Sequence, residues 1–348
     1  MWAINNLTDF AAERAWVRDA EGGEVWLVAV KGTYLIHPDG TTSLAEEQQE
    51  VYLAPRFLAA PGSSSLLYES DLIHTKPATD IILHANAYAP AGQAVVSVDV
   101  AVRVGSMQKS LRVFGERVWV GSRFDPKLSE PQPFTKMPIV YERAFGGAGV
   151  MTGETQNQRE ERNPVGTGFA VAPEHLLNQR APNVEHPNAL ISSWNRRPQP
   201  AGFGPIARDW QPRLAFAGTY GETWERERMP LLPQDFDERF YLCAPADQQA
   251  QGYLHGGEPV ELLNLTPGGA LRFNLPRVAL NFRTAFDTEA VNHRGILHTV
   301  IIEPEFPRVI MVWHTMLACH QKVLKLEATT ITQKEAPVLA RAGTLPAV

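Results

Sequence analysis

Val96-Ser97-Val98-Asp99-Val100-Ala101-Val102-Arg103-Val104, followed at once by Gly105-Ser106, is the stretch that decides the fold. Valines at every second position alternate with small or charged residues, which is the period of a strand buried on one face only. Gly105-Ser106 begins a turn, and Leu111 to Val120 reads as the returning strand, with Gly115 as a bulge. The polar face of this hairpin points to an antiparallel sheet with one wet side.

Other strand signals lie on both sides of it. Upstream, Val25 to Ile36 is a β-branched and aromatic run closed by the turn His37-Pro38-Asp39-Gly40. A further strand is expected after Glu46 to Glu50, and Asn6 to Trp16 reads as a short amphipathic piece. Downstream, Val260 to Leu265 and Leu271 to Leu275 flank a Pro267-Gly268-Gly269 turn. His298 to Glu303 and Val309 to Leu317 follow as another pair. Arg213 to Tyr220 reads as strand, and Met229 to Pro233 as extended because its prolines exclude helix. Asp235 to Gln251 has room for helical turns, with Pro245 suited to a first turn.

Between these flanks, Tyr141 to Arg213 holds eight Gly and eight Pro in 73 residues, about 22%. Average usage is about 12%. Glycine opens positive φ and proline removes a donor, so regular elements cannot run far there. Phe145, Phe169, Trp194, Phe203 and Trp210 fall in the same stretch, whereas a disordered linker is poor in aromatics. The expected fold is therefore mainly β: antiparallel sandwich-like units flanking a long ordered Gly/Pro-rich loop region, with few short helices. Residues 1–140 form the N-terminal β unit, 141–213 the loop segment and 214–331 the C-terminal β unit. From 332 to 348 a flexible tail is expected. One large sandwich is the alternative.

The net charge of −6 argues against a nucleic-acid backbone as partner. Two cysteines, Cys243 and Cys319, are too few for a disulfide scaffold and suit a reducing compartment. The N-terminal residues lack the basic and apolar regions of a signal peptide, and no apolar run reaches the ~18 residues of a membrane span. A cytoplasmic protein without nucleic-acid or membrane partners is expected.

Motifs for chemistry are lacking. Gly166-Thr167-Gly168 and Gly202-Phe203-Gly204 have neither the spacing nor the strand-to-helix context of a dinucleotide loop, and no P-loop occurs. His314, Cys319 and His320 are the one tight group of potential metal ligands, but on a strand Cys319 points away from the two histidines. No nucleophile elbow is present, and Cys243 sits among Tyr241, Leu242 and Ala244 as an inert thiol would. No catalytic residue, metal or cofactor is assigned. The arginines of the middle stretch, beside Trp and Phe, have the composition of protein-contact anchors. Arginine forks also tie irregular loops together through backbone carbonyls.

Several motifs stand in a fixed order: Tyr141-Glu142-Arg143-Ala144-Phe145-Gly146-Gly147, Asn163-Pro164-Val165-Gly166-Thr167-Gly168, Pro182-Asn183-Val184-Glu185 and Pro200-Ala201-Gly202-Phe203-Gly204-Pro205. Trp210-Gln211-Pro212-Arg213, the Trp224 region and Pro230-Leu231-Leu232-Pro233-Gln234-Asp235-Phe236-Asp237 follow. Together they resemble the bacterial family catalogued as domain-of-unknown-function family 2169, over roughly Val25 to Trp313. That family tends to show Asp-Thr before the penultimate strand and Trp-Arg in the last. This chain has His298-Thr299 and Trp313-His314 there, so the charge character of two positions differs.

The resemblance implies a type VI secretion accessory protein: a cytoplasmic adaptor or chaperone that holds an effector and helps seat it on the secretion spike. Its partners would be a toxin, a spike-tip protein with proline-alanine-alanine-arginine repeats, or a valine-glycine repeat spike protein. The expected anchors are Arg143, Phe145, Trp194, Arg196, Arg197, Phe203 and Trp210, with strand addition at an exposed sheet edge as a second mode. Two other classes fit a β scaffold. One is a hydrolase using a carboxylate and histidine pair such as Asp235 and His255; the other is a carbohydrate-binding sandwich with stacking aromatics.

Overall fold

A computed structural model describes residues 2–149, 158–319 and 322–334. The valine-rich stretch forms the strand Ser97–Val104, which turns at Gly105 (φ +57°) and returns as Met107–Phe114. Val100 faces Leu111 and Val98 faces Val113 across the ladder. On its other edge Ser97–Val104 pairs with Pro259–Leu263, itself paired with Ala270–Asn274, and Val184–Glu185 closes the far side of a five-stranded sheet. Val98, Val100, Val102 and Val104 are all buried while Val96, before the strand, is 49% exposed. The period-2 face thus builds the core as expected.

A second, six-stranded sheet runs in the order Ala11–Arg18, Glu24–Ile36, Arg308–Ala318, Ile296–Glu303, Asp80–Leu83, with Thr42–Leu44 added to Glu24–Ile36. One face, with Val28, Val30, Ile81, Val300, Ile302 and Met311, shares the main core with the five-stranded sheet. The opposite face is covered too: Leu27 and Ala29 meet Val51, while Ile82, Ile301 and Ile310 meet Cys243 and Ala244. Burial on both faces is why Val25 to Val30 is a continuous apolar run rather than an alternating one. A four-stranded sheet, Ala3–Asn6, Leu326–Lys334, Ala279–Phe286, Ala290–Arg294, completes the larger layers. The protein is mainly β, built of several antiparallel sheets. Strands from 1–140 and from 214–331 interleave within both larger sheets, while three two-stranded sheets lie wholly within 1–140.

Several local expectations are corrected. Strand Met107–Phe114 stops at Gly115, and Trp119–Ser122 belongs to a separate hairpin with Asp125–Leu128. Gly115 is no bulge; a Cβ there would lie 1.7 Å from the Gln132 carbonyl oxygen, so the residue permits a backbone crossing. Arg213–Ala217 is a 3-10 turn rather than a strand, and Glu222–Glu227 is the one α-helix among the described residues. The segment before Trp16 is strand, and Thr332 to Lys334 still belong to the last strand. The expected tail beyond Lys334 lies outside the described residues.

Candidate partner-binding site

The middle stretch is held by its own motif residues. Buried Asn163 donates through Nδ2 to the carbonyls of Tyr141 (2.8 Å) and Phe145 (3.0 Å). Asn183 does the same for Phe114 (3.2 Å) and Gly115 (3.0 Å), so each asparagine replaces ladder bonds that irregular backbone lacks. The local strands are only two residues long, Phe145–Gly146 beside Thr167–Gly168.

Most of the expected anchors are consumed by this architecture. Phe203 is fully buried in the main core, and Trp210 is buried edge-on to Tyr141 with ring centroids 5.6 Å apart. Phe145 is buried in a satellite core with Trp119 and Leu176, and Trp194 packs half-buried against it. Arg143 donates to Glu116 (2.6 Å) and Asn183 (3.0 Å), and Arg197 lies over Phe169 and donates to the Ala170 carbonyl (3.1 Å). The loop-tying role of arginine accounts for both. Phe145, Phe203 and Trp210 are therefore corrected to core residues, since a side chain without accessible surface has nothing to offer a partner. Arg196 and Arg197 are the two exposed anchors, and of these Arg197 is held against Phe169 and the Ala170 carbonyl.

Open surface of the right dimensions lies instead around residues 219–241. One cleft, about 570 Å³, is bounded by the Asp19–Glu21 turn, His74 and Thr75, and the segment from Arg228 to Tyr241. A second, about 500 Å³, lies along the helix Glu222–Glu227 and is lined by Thr219, Trp224 and Asp235. Arg228, Pro233 and Gln234 line both. The sequence builds this spot with a short helix that Pro230 cannot continue. Trp224 donates its indole N–H to the Leu231 carbonyl (2.8 Å), folding the chain back beside the helix. Arg228 donates to the carbonyls of Ala20 (2.7 Å) and Leu232 (3.1 Å), fastening the segment to the turn after the strand Ala11–Arg18.

The floor is pinned by a buried ionic layer. Arg213 bonds Glu69 (2.6 Å), the Ile206 carbonyl (2.9 Å) and the Phe240 carbonyl (2.7 Å). Burial would raise the Glu69 carboxyl, but the guanidiniums of Arg213 and Arg208 outweigh it and hold its pKa low. Lys76 pairs with Asp80 at 2.7 Å and bonds Thr299 at 2.9 Å. Burial opposes that ammonium, yet Asp80 prevails and its pKa is raised. Asp80 in turn accepts from the backbone N–H groups of Cys243 (2.8 Å) and Ala244 (3.0 Å). Lys31, paired with Asp71 at 2.8 Å, is the contrary case: burial dominates and its pKa is lowered. Glu69, Asp71 and Lys76 line a void of only about 10 Å³, so they brace the fold rather than face a ligand.

At the cleft surface His74 stacks on Tyr241 with centroids 5.1 Å apart, and burial pushes the Tyr241 hydroxyl up to about 12. Asp235 accepts from the Thr219 N–H (2.9 Å) and hydroxyl (2.7 Å), which lower its pKa. His255, its proposed partner in hydrolysis, lines a different cleft with Tyr253 and Trp313. The structure does not bring that pair together. Of the residues weighed as potential metal ligands, His314 faces His298 and not Cys319, and His320 lies outside the described residues.

A family model described as "Uncharacterized protein conserved in bacteria (DUF2169)" matches residues 21–314. The chain belongs to that family. Its DUF2169 span takes in the helix, Arg228, Pro233, Gln234 and the buried ionic layer, leaving Asp19, Ala20 and Met316 of the cleft walls just outside. No curated protein and no solved structure matches the chain. Among the described residues no helix is long and apolar enough to cross a membrane.

The signal for this site was present in the sequence as Trp224 and the Pro230 to Asp237 motif. Aromatic spacing there marks packing or contact equally, and only the exposure of Tyr220 (54%) and Met229 (63%) separates the two.

Proposed function

We propose that the protein is a bacterial cytoplasmic adaptor or chaperone that binds a type VI secretion effector or spike-tip protein and helps load it onto the secretion spike. The observation that carries this reading is the pair of open, aromatic- and proline-walled clefts beside Glu222–Glu227. They are braced from below by a sealed ionic layer and have the size and openness to receive a polypeptide. The secretion context rests on the resemblance of the ordered motifs alone, since the description of the DUF2169 family names no function. Binding cargo masks apolar effector surface and raises its effective concentration at the spike.

The test is co-expression with the products of adjacent genes, followed by affinity purification and size-exclusion chromatography. A stable complex with a spike-tip or toxin protein is expected. Failure of every neighbour to co-elute, with the toxin soluble on its own, would overturn the reading.

A further inference from the structure

We infer that the two clefts form one docking groove for a cationic segment of the partner, rich in lysine or arginine and carrying an aromatic or aliphatic anchor. This rests on the adaptor reading and narrows its partner chemistry. Asp19, Glu21 and Glu238 line the first cleft, and Glu222, Glu227 and Asp235 line the second. Arg228 is the one lysine or arginine in either wall, and its donors are already held by the Ala20 and Leu232 carbonyls with Glu21 beside them. Glu227 is paired with Arg226 at 2.7 Å, while Asp19 and Asp235 accept only from uncharged donors and have no cation paired with them among the described residues. Glu222 and Glu238 make no side-chain hydrogen bond or ion pair among the described residues. The groove thus offers more carboxylates than it neutralises.

An acidic surface alone would attract counterions and nothing more. Here the carboxylates rim an apolar shelf. Trp224 lines the second cleft; Tyr220, 54% exposed, stands edge-on to it with centroids 4.8 Å apart just outside that lining, and Met229, 63% exposed, donates its N–H to the Trp224 carbonyl at 2.9 Å. Phe236 and Tyr241 continue the shelf into the first cleft, with centroids 5.3 Å apart. Lysine and arginine stems lie on aromatic rings while their charged heads reach carboxylates, so one class of side chain satisfies both features. Exposed Met and Tyr accept an apolar anchor without demanding one shape. A second copy of this chain is a poor occupant, because each carries a net charge of −6 and like charges repel on approach.

The experiment uses the full chain and a fluorescein-labelled peptide of alternating lysine and phenylalanine. Controls are the same peptide with glutamate for lysine, the variant Glu222→Lys/Glu238→Lys, and Glu46→Lys/Glu47→Lys, which makes the same charge change at exposed remote positions. Anisotropy should show the cationic peptide binding wild type and the remote variant alike, and the groove variant about tenfold or more weakly. The glutamate peptide should not bind. Equal binding to all three proteins, no binding to wild type, or self-association that the groove variant abolishes would each overturn the assignment. The adaptor reading fails separately. A partner complex that survives Glu222→Lys/Glu238→Lys sinks the groove and keeps the adaptor, whereas peptide binding with no co-eluting neighbour does the reverse.

Discussion

His298 and His314 stack face to face in the interior with ring centroids 3.6 Å apart and an interplanar angle of 29°. They come from adjacent antiparallel strands, at a bulge in the register between Leu297 and Thr299. His298 reaches Thr299 through Nδ1 at 3.0 Å. The backbone of Asp71 and Ile73 lies near the His314 ring, but neither ring nitrogen attains hydrogen-bond geometry. Burial, and then the nearby Lys76 ammonium, hold the His314 pKa down to about 3; His298 is also kept well below its ordinary value.

This makes stability fall with acid. His84 and His293 are likewise lowered by burial, each to about 4. In the unfolded chain all four take up protons near pH 6.5. A base with a depressed folded pKa favours unfolding wherever the unfolded chain is protonated and the fold is not. The stabilisation is therefore complete above pH ~6.5 and is lost as pH falls toward 4, by up to ~1.4 kcal/mol per unit for each histidine. Urea midpoints at pH 7.5, 6 and 5 should decrease in that order. A flat profile would contradict the neutral buried pair.

In the family pattern that the sequence resembles these positions read Asp and Arg, which makes an opposite-charge pair the substitution to test against the stack. His298→Asp or His314→Arg alone buries a charge without its intended partner and should cost about 3–5 kcal/mol. The double variant should cost less than the sum of the two, with a coupling of about 0.5–3 kcal/mol between neighbours. Chemical denaturation of the four proteins gives the cycle, and additive losses would show that the positions do not substitute as a unit.

Lys76 and Asp80 are nearly without exposed side-chain surface. Replacing Lys76 with Met leaves the Asp80 carboxylate to two backbone donors and the Cys243 thiol and should destabilise the fold by about 3–5 kcal/mol. Thr299→Val removes the hydroxyl's contacts to the ammonium and to His298, both without loss of a charge, and should cost nearer 1–2 kcal/mol. Equal losses in urea melts would mean that the ion pair is not what holds the 76–80 segment.

Core and surface readings of the middle stretch predict opposite variants. Phe203→Ala and Trp210→Ala should each lose about 3–5 kcal/mol of stability. Arg196→Ala, on exposed backbone, should stay within about 0.5 kcal/mol. Thermal unfolding distinguishes them. A stable Phe203→Ala protein would reopen its role as a contact residue.

Where one face of an element met the core, its sequence was legible. The hairpin at Gly105 and the strands near Val260 and Leu271 follow from alternation and turn chemistry, whereas those near His298 and Val309 are legible as continuous apolar runs because both faces are buried. Ala279–Phe286 and Leu326–Lys334 went unread because Thr284 and Thr329 stand where their buried faces would otherwise carry apolar residues. Thr284 and Thr329 are buried and bond each other at 2.7 Å, so polar residues complete this core. Sequence could not settle the site either. Composition puts Arg, Trp and Phe together in 141–213, but only three-dimensional packing tells an arginine that ties a loop from one that meets a partner. The ionic layer was invisible for a similar reason: Lys76, Asp80, Cys243 and Thr299 are brought together from three separate parts of the chain.

Within the six-stranded sheet, Val30 lies opposite Trp313, so the ladder's central pair joins opposite ends of the chain. Strand Glu24–Ile36 emerges from the ribosome about 270 residues before its partner Arg308–Ala318, a wait of roughly 15–50 s at ordinary elongation rates. During that interval its apolar residues have only the hairpin with Ala11–Arg18 and the short Thr42–Leu44 beside them. A protein read as a guardian of other chains thus spends its own synthesis with an unclosed sheet, and its yield in the cell depends on how well that nascent strand is shielded until the last strands arrive.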